Sequence, residues 1–198
     1  MYIPKHFEQK DTGKLLAFMQ QYNFAVMISA DKNRPLATHL PFVIEKEEKD
    51  ICLYSHFSLA NHQWKNISAQ DVLVIFSEPH AYISPSLYEH QQNVPTWNFG
   101  AVHAYGKIEL YHSDEEKRMV LHKQMQAYEP SYLEQFNTLD EKYVNGLLKG
   151  IVAFKISVSE LQGKEKLSQN KSERDRQTVK KHLEDSNDPL KIDLAGRM

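Results

Sequence analysis

Two segments of this chain combine residue types that could hold an anionic or planar ligand. The first is Ser55-His56-Phe57-Ser58-Leu59-Ala60-Asn61-His62-Gln63-Trp64-Lys65, where a strand-like run gives way to a short helical pattern. Free N–H groups at a helix start, with nearby hydroxyls, donate readily to a phosphate, and Lys65 adds charge. The competing reading is that Ser58 or Asn61 only caps the helix. The second is Gly163-Lys164-Glu165-Lys166-Leu167-Ser168-Gln169-Asn170-Lys171. Its amides carry donors and acceptors together, so they can read the edge of a heteroaromatic ring. A polar turn capped by Ser168 or Asn170 would need the same residues.

A third stretch is aromatic and stiff. Ala81-Tyr82-Ile83-Ser84-Pro85-Ser86-Leu87-Tyr88 is followed closely by Val94-Pro95-Thr96-Trp97-Asn98-Phe99. Each proline fixes its own φ and restricts the residue before it. Rigid aromatic surface of this kind suits a flat cofactor ring or a subunit contact; a loop pinned into a β-core is the plainer account.

Other chemistries find little support. The chain has 10 histidines but neither a His-Glu-x-x-His pair nor a Cys-x-x-Cys pair. His103, His112 and His122 fall on a strand, a strand end and a helix, which does not predict convergent metal ligands. Cys52, between Ile51 and Leu53, reads as a buried, inert thiol. There is no Gly-x-Ser-x-Gly elbow, Rossmann fingerprint or P-loop.

The elements that must position these residues are mostly strands. Apolar periodicity predicts a helix over residues 11–22. A hairpin follows, with strands over 24–29 and 36–44, then a third strand over 51–56. Residues 61–67 read as a short helix. Val72-Leu73-Val74-Ile75-Phe76 is a continuous apolar run, expected at the centre of a sheet with both faces covered. Long strands are expected over 97–111, interrupted by bulges at Gly100 and Gly106, and over 151–158. Capping boxes at Ser113/Glu116 and Thr138/Glu141 open two inserted helices, and Ser172 opens a third over 173–183. Many short strands separated by turn signals favour a closed barrel over an open parallel sheet. Residues 1–185 read as a single domain and residues 186–198 as a frayed polar tail.

The 198 residues carry 24 Lys and Arg against 26 Asp and Glu, a formal charge of -2. That argues against a broadly basic nucleic-acid binder. Basic residues concentrate only over 164–181, where interspersed acids predict a solvated helix face. One cysteine cannot form an internal disulfide, and no leader or membrane-spanning run is visible, so a cytoplasmic location is expected and no membrane.

Taken in order, several short motifs resemble the PaiB family of FMN-binding negative transcriptional regulators. They are Met1-Tyr2-Ile3-Pro4 with His6-Phe7, Ala37-Thr38-His39-Leu40-Pro41, Ala60-Asn61 with Gln63-Trp64, and Phe76 with residues 79–85. Val94-Pro95-Thr96-Trp97-Asn98, Ala101-Val102-His103 with Gly106, and Gly163-Lys164 with Lys166-Leu167-Ser168-Gln169-Asn170 complete the set. The resemblance implies a mainly β (α+β) fold, an FMN-binding-type split β-barrel with peripheral helices, working as a homodimer. It implies negative regulation of sporulation and degradative-enzyme genes, with DNA reached directly or through a protein partner. It places His39, His56, Ser58, Asn61 and Lys65 near the FMN phosphate and ring. Trp97, Asn98, Lys166, Ser168, Gln169 and Asn170 would approach FMN from the dimer seam.

One departure bears on the cofactor. The family resemblance leads one to expect an arginine in the phosphate-side loop and a proline after its asparagine, where this chain reads Ser58-Leu59-Ala60-Asn61-His62. Leucine cannot replace a bidentate phosphate ligand, so weakened or lost FMN binding is expected. The alternatives are a flavin- or haem-dependent oxidoreductase on the same barrel, against which the missing arginine counts, and a ligandless interaction module.

Overall fold

A computed structural model describes residues 1–67, 71–90 and 92–198, and the side chain of Asn66 is not described. Its strands are β1 (Glu8–Gln9), β2 (Phe24–Asp31), β3 (Arg34–Pro41), β4 (Val43–Glu47), β5 (Asp50–Ser58), β6 (Asp71–Ile83), β7 (Thr96–Tyr111) and β8 (Ile151–Lys166). The helices are α1 (Thr12–Gln21), α2 (Asp114–Tyr128), α3 (Tyr132–Asn137), α4 (Glu141–Leu148), α5 (Glu173–Glu184) and α6 (Pro189–Gly196). The strands pair in the order β3-β2-β6-β7-β8-β5-β4, with β1 added on β8. Among the described residues this path runs from β3 to β4 without closing on itself, so the expected closed barrel is an open sheet.

The chain forms two compact units, one of residues 1–15, 77–103 and 162–198, the other of residues 16–76 and 104–161. Strands β6, β7 and β8 contribute residues to both. The core of the larger unit includes Phe18, Phe42, Phe57, Phe76 and Phe154, all less than 3% exposed. Phe42 meets Phe76 and Phe154 edge-on, with ring centroids 5.9 and 6.2 Å apart. In the smaller unit Ala81, Ile83, Tyr88 and Leu167 pack with Val179, Leu183, Leu194 and Ala195. No described helix is long and apolar enough to cross a membrane.

Local chemistry explains most boundaries. Lys32 and Asn33, at φ 47° and 68°, turn β2 into β3, with Asp31 opposite Arg34. Two successive left-handed residues suit the twist of a tight hairpin. The Ser113 hydroxyl accepts from the Glu116 N–H while the Glu116 carboxylate accepts from the Ser113 N–H, so the expected capping box opens α2. At α4 the cap is Asp140, not Thr138, whose hydroxyl donates back to Gln135 O at 2.7 Å. The strand expected over 36–44 is broken between β3 and β4 at Phe42, whose N–H turns to Asn23 O.

Two long strands differ instructively from expectation. In β6, Val72, Val74 and Phe76 are buried, and then the buried side switches to Pro79, Ala81 and Ile83. An odd shift flips every later side chain to the other face. The switch falls at Glu78, whose φ of 151° is a strained value for a non-glycine residue. The strand β7 runs through Gly100 and Gly106 without a break. Gly106 marks close backbone approach instead: a Cβ there would lie 2.4 Å from Ser157 O. The segment read as a polar tail holds α6, whose Leu194 and Ala195 are fully buried, because the apolar face of this short helix found a core to cover.

Candidate functional site

The predicted site residues fall in both units. His39, His56, Ser58, Asn61 and Lys65 belong to the larger one; Trp97, Asn98, Lys166, Ser168, Gln169 and Asn170 belong to the smaller.

In the larger unit, β5 ends at Ser58 and a 3-10 turn spans His62–Asn66. The turn is tied down by Gln63, whose buried amide donates from Nε2 to Ser29 Oγ at 3.0 Å and to Leu36 O at 3.2 Å. Its Oε1 accepts from Thr38 Oγ1 at 2.5 Å. Asn61 is committed at both ends: Oδ1 accepts from the Gln63 N–H at 2.9 Å, and Nδ2 donates to Thr38 Oγ1 at 2.9 Å. Ser58 Oγ accepts from the Ala60 N–H at 3.3 Å. His56 Nδ1 pairs with Gln124 Oε1 at 2.9 Å, and burial lowers its pKa, which keeps the ring neutral. His39 is exposed and stacks on Phe24, with centroids 6.3 Å apart. The motif around Asn61 and Gln63 therefore builds the turn. Outward it presents Ser58, Ala60, His62, Lys65, whose ammonium lies 5.9 Å from the Trp64 ring, and Leu59, which is 46% exposed.

In the smaller unit, strand alternation separates neighbours. Asn98 is fully buried, whereas Trp97 beside it is 52% exposed. Trp97 joins His80 and Tyr82, with ring centroids 5.6 and 6.2 Å away. With Phe99, Gly100, Ala101, Ser77 and Glu78, Trp97 and His80 line a cavity of about 340 Å³. That volume lies within the roughly 300–1,000 Å³ of typical small-molecule pockets. Its walls are largely aromatic and aliphatic, which suits a flat ring.

The other face of β7 opens on a polar cleft of about 180 Å³, lined by Phe7, Tyr88, Val94, Thr96, Asn98, Lys166, Ser168, Asn170 and Lys171. Asn98 Nδ2 donates to Ser168 Oγ at 2.9 Å, a bond across 70 residues of sequence. It helps hold Ser168 at φ 61°, an uncommon setting for serine. Lys166 donates to Thr96 Oγ1, and Lys171 to Asn93 Oδ1 at 2.6 Å. Gln169 folds back on its own turn, accepting from the Leu167 N–H at 2.7 Å and donating to Glu165 O at 2.6 Å. The structure thus brings Asn98, Lys166, Ser168 and Asn170 together, points Trp97 to the opposite face of the strand, and spends Gln169 locally. Tyr88, Thr96 and Phe99 lie in the aromatic stretch and Lys171 in the second polar segment, though none was singled out as a site residue; His80, a cavity wall, lay outside both, and period-two alternation from Trp97 and Asn98 was the available signal for which wall each joins.

An open antiparallel sheet flanked by helices, with a ring-sized cavity on one face, defines the flavin-type split-barrel fold. The structure of the flavocytochrome Anf3 from Azotobacter vinelandii superposes with a TM-score of 0.65 at 19% identity, covering 83% of this chain and 72% of that one. The FAD and heme binding protein from Mycobacterium smegmatis gives 0.62 at 14% identity, covering 80% and 73%. The family described as "Putative FMN-binding domain" matches residues 1–160. "Protease synthase and sporulation protein PAI 2" of Bacillus subtilis is 39% identical over 202 residues, covering 100% of this chain and 96% of the relative. The chain belongs to the PaiB family of FMN-binding-domain proteins.

Proposed function

We propose that the protein binds FMN, holding the isoalloxazine ring against Trp97 and Phe99, and acts as a homodimeric negative regulator of degradative-enzyme and sporulation genes. The observation that carries the ligand half is the aromatic-walled cavity of about 340 Å³ on one face of β7. Its residues fit a planar ring: Trp97 offers a half-exposed face, Phe99 an apolar wall, and His80 a polar edge. When bound, FMN supplies a redox-active planar ring. The regulatory half draws on the Bacillus subtilis relative, whose name ties it to protease synthesis and sporulation.

In the loop where the family pattern leads one to expect a phosphate-side arginine, this chain has Leu59. Without a charge-assisted arginine contact worth about 1.5–3 kcal/mol, FMN binds roughly ten- to a hundred-fold more weakly than in a relative that has one. The regulator works through a protein partner. On α5, Arg174, Arg176 and Lys180, three of its four Lys and Arg residues, each lie beside a carboxylate, at 2.6, 3.2 and 4.0 Å, which partly neutralises that helix toward DNA phosphates.

FMN fluorescence titration tests the ligand. Quenching is expected, and Trp97→Ala should weaken it about ten-fold, the scale of one lost aromatic contact. Quenching that Trp97→Ala leaves unchanged would remove the ring from this cavity. A salt-sensitive shift of promoter DNA by the protein alone, stronger than on random DNA, would overturn the partner route.

A further inference from the structure

We propose that the cleft between Lys166 and Lys171 is a binding site for a small phosphate group, on the face of β7 opposite the aromatic cavity. The inference does not require the ring site on Trp97 and Phe99, since the cleft is a different cavity with different lining side chains.

The charge balance around the cleft is the first ground. Lys164, Lys166 and Lys171 each donate to a neutral oxygen: Tyr2 O at 3.1 Å, Thr96 Oγ1, and Asn93 Oδ1 at 2.6 Å. Among the described residues none of the three meets a carboxylate. The nearby acids are occupied elsewhere. Glu165 accepts from Arg197 at 2.5 Å and from Gln9 at 2.9 Å. Asp175, buried near Tyr88, accepts from the Glu89 N–H at 2.9 Å, and Glu89 pairs with Arg174 at 2.6 Å. Partly buried ammonium groups without a counter-charge are costly, and a bound anion relieves that cost. Lys166 registers the strain: burial and then the neighbouring Lys164 and Lys171 charges lower its pKa.

The second ground is an unspent donor. Tyr88 is 93% buried by its 7% exposure and lines the cleft, and its hydroxyl closes no hydrogen bond. It approaches Ser168 closely enough to offset part of the burial that raises its pKa, yet the geometry of a bond is not met. A buried hydroxyl left without a partner is costly, and a ligand oxygen would complete it. With Thr96 and Ser168 it gives three hydroxyls beside two ammonium groups. Lysine binds phosphate as a point charge, and hydroxyls rotate to donate.

Size selects the ligand class. About 180 Å³ is too little for a tricyclic ring and suits one tetrahedral anion. The phosphate could be the tail of FMN or belong to a separate phosphorylated metabolite, and the experiment separates the two.

The test is calorimetric titration of flavin-free protein with inorganic phosphate, against chloride at matched ionic strength. Saturable, phosphate-specific binding is expected. Lys166→Met and Lys171→Met should each weaken it about ten-fold or more, and Tyr88→Phe several-fold. Lys14→Met, an exposed lysine on α1, should leave it unchanged. Each variant's melting temperature in chloride confirms that it is folded, and a cleft lysine's removal should not lower it, because a like charge is relieved. Phosphate that competes with FMN but not with riboflavin identifies the flavin's own phosphate as the ligand. Phosphate and FMN binding together identifies a separate phosphorylated ligand. No phosphate-specific heat, or heat that persists in both lysine variants, overturns the proposal.

Discussion

Gln63 offers the sharpest measure of how the Ser58-to-Lys65 turn is built. Its amide is 4% exposed and reaches Ser29 Oγ, Leu36 O and, at 3.4 Å, Met27 O, while accepting from Thr38. Nε2 has only two hydrogens, so two donated bonds and one accepted bond count at full strength. At about 1 kcal/mol net for each, Gln63→Leu should cost about 3 kcal/mol, since leucine fills the space but satisfies none of the partners. With a urea slope near 2 kcal/mol/M, the unfolding midpoint should fall by about 1.5 M. Tryptophan fluorescence follows the transition, with Trp64 and Trp97 as reporters. Pairing Gln63→Leu with Thr38→Val isolates their mutual bond, with a coupling of about 1 kcal/mol expected. A midpoint shift under about 0.25 M at unchanged slope would refute the reasoning, because the network would then contribute no more than a surface residue.

Three further outcomes follow from named contacts. Leu59 has its N–H on Gly150 O at 2.8 Å and its carbonyl on Trp64 Nε1 at 3.0 Å, so its side chain can be exchanged freely. Leu59→Arg should change stability by less than about 0.5 kcal/mol. The same variant should tighten FMN roughly ten- to a hundred-fold, and a titration without gain would discard the missing-anchor argument. Gly106→Ala would force a Cβ to within 2.4 Å of Ser157 O and 2.8 Å of Ile156 Cγ2, so thermal unfolding should show a loss of about 2 kcal/mol or more; an unchanged melting temperature would contradict that packing. The Glu47 carboxylate accepts from Tyr54 and from Lys155 at 2.9 Å, which lowers its pKa from 4.5 to about 2. A depressed carboxylate pKa gives stability that is complete above pH 4.5 and is lost as pH falls toward 2. Its side chain is 39% exposed, so screening trims the effect to about 1–2 kcal/mol. Urea midpoints of Glu47→Gln should therefore fall less steeply than the parent's between pH 5 and 2.5, and parallel curves would sink the assignment.

Much of the fold was legible because its signals are local. The apolar runs became β2, β5, β6, β7 and β8, and Ser113 with Glu116 placed the start of α2 through bonds spanning three residues. Errors arose where neighbouring or distant groups competed for one bond. The cap of α4 was expected at Thr138, but that hydroxyl donates to Gln135 O at 2.7 Å and the Asp140 carboxylate accepts from the Tyr143 N–H at 2.9 Å instead. Residues 186–198 read as a frayed polar tail by composition, yet Leu194 and Ala195 are sealed against residues more than 100 positions earlier, such as Ala81 and Ile83.

The candidate site divides the same way. Ordered motifs sufficed to identify the family, and with it the flavin-type fold, because motif order is a property of the sequence itself. Set against the family pattern, Leu59 also stood out as a departure. Which of those residues are committed to holding the backbone depended on tertiary contacts. Asn61 and Gln63 turned out to build their turn, with partners on β2 and β3 more than 20 residues away. Trp97 and Asn98 are adjacent in sequence, but the burial of one face of β7 sends them to different cavities. The acids beside Lys166 and Lys171 look sufficient to neutralise them in the sequence; only the fold turns Glu165 toward Arg197 and Asp175 toward the Glu89 N–H, leaving the lysines without a counter-charge. Local propensity acts within a few residues, whereas a binding site depends on what remains unpaired after every distant segment has chosen its partner.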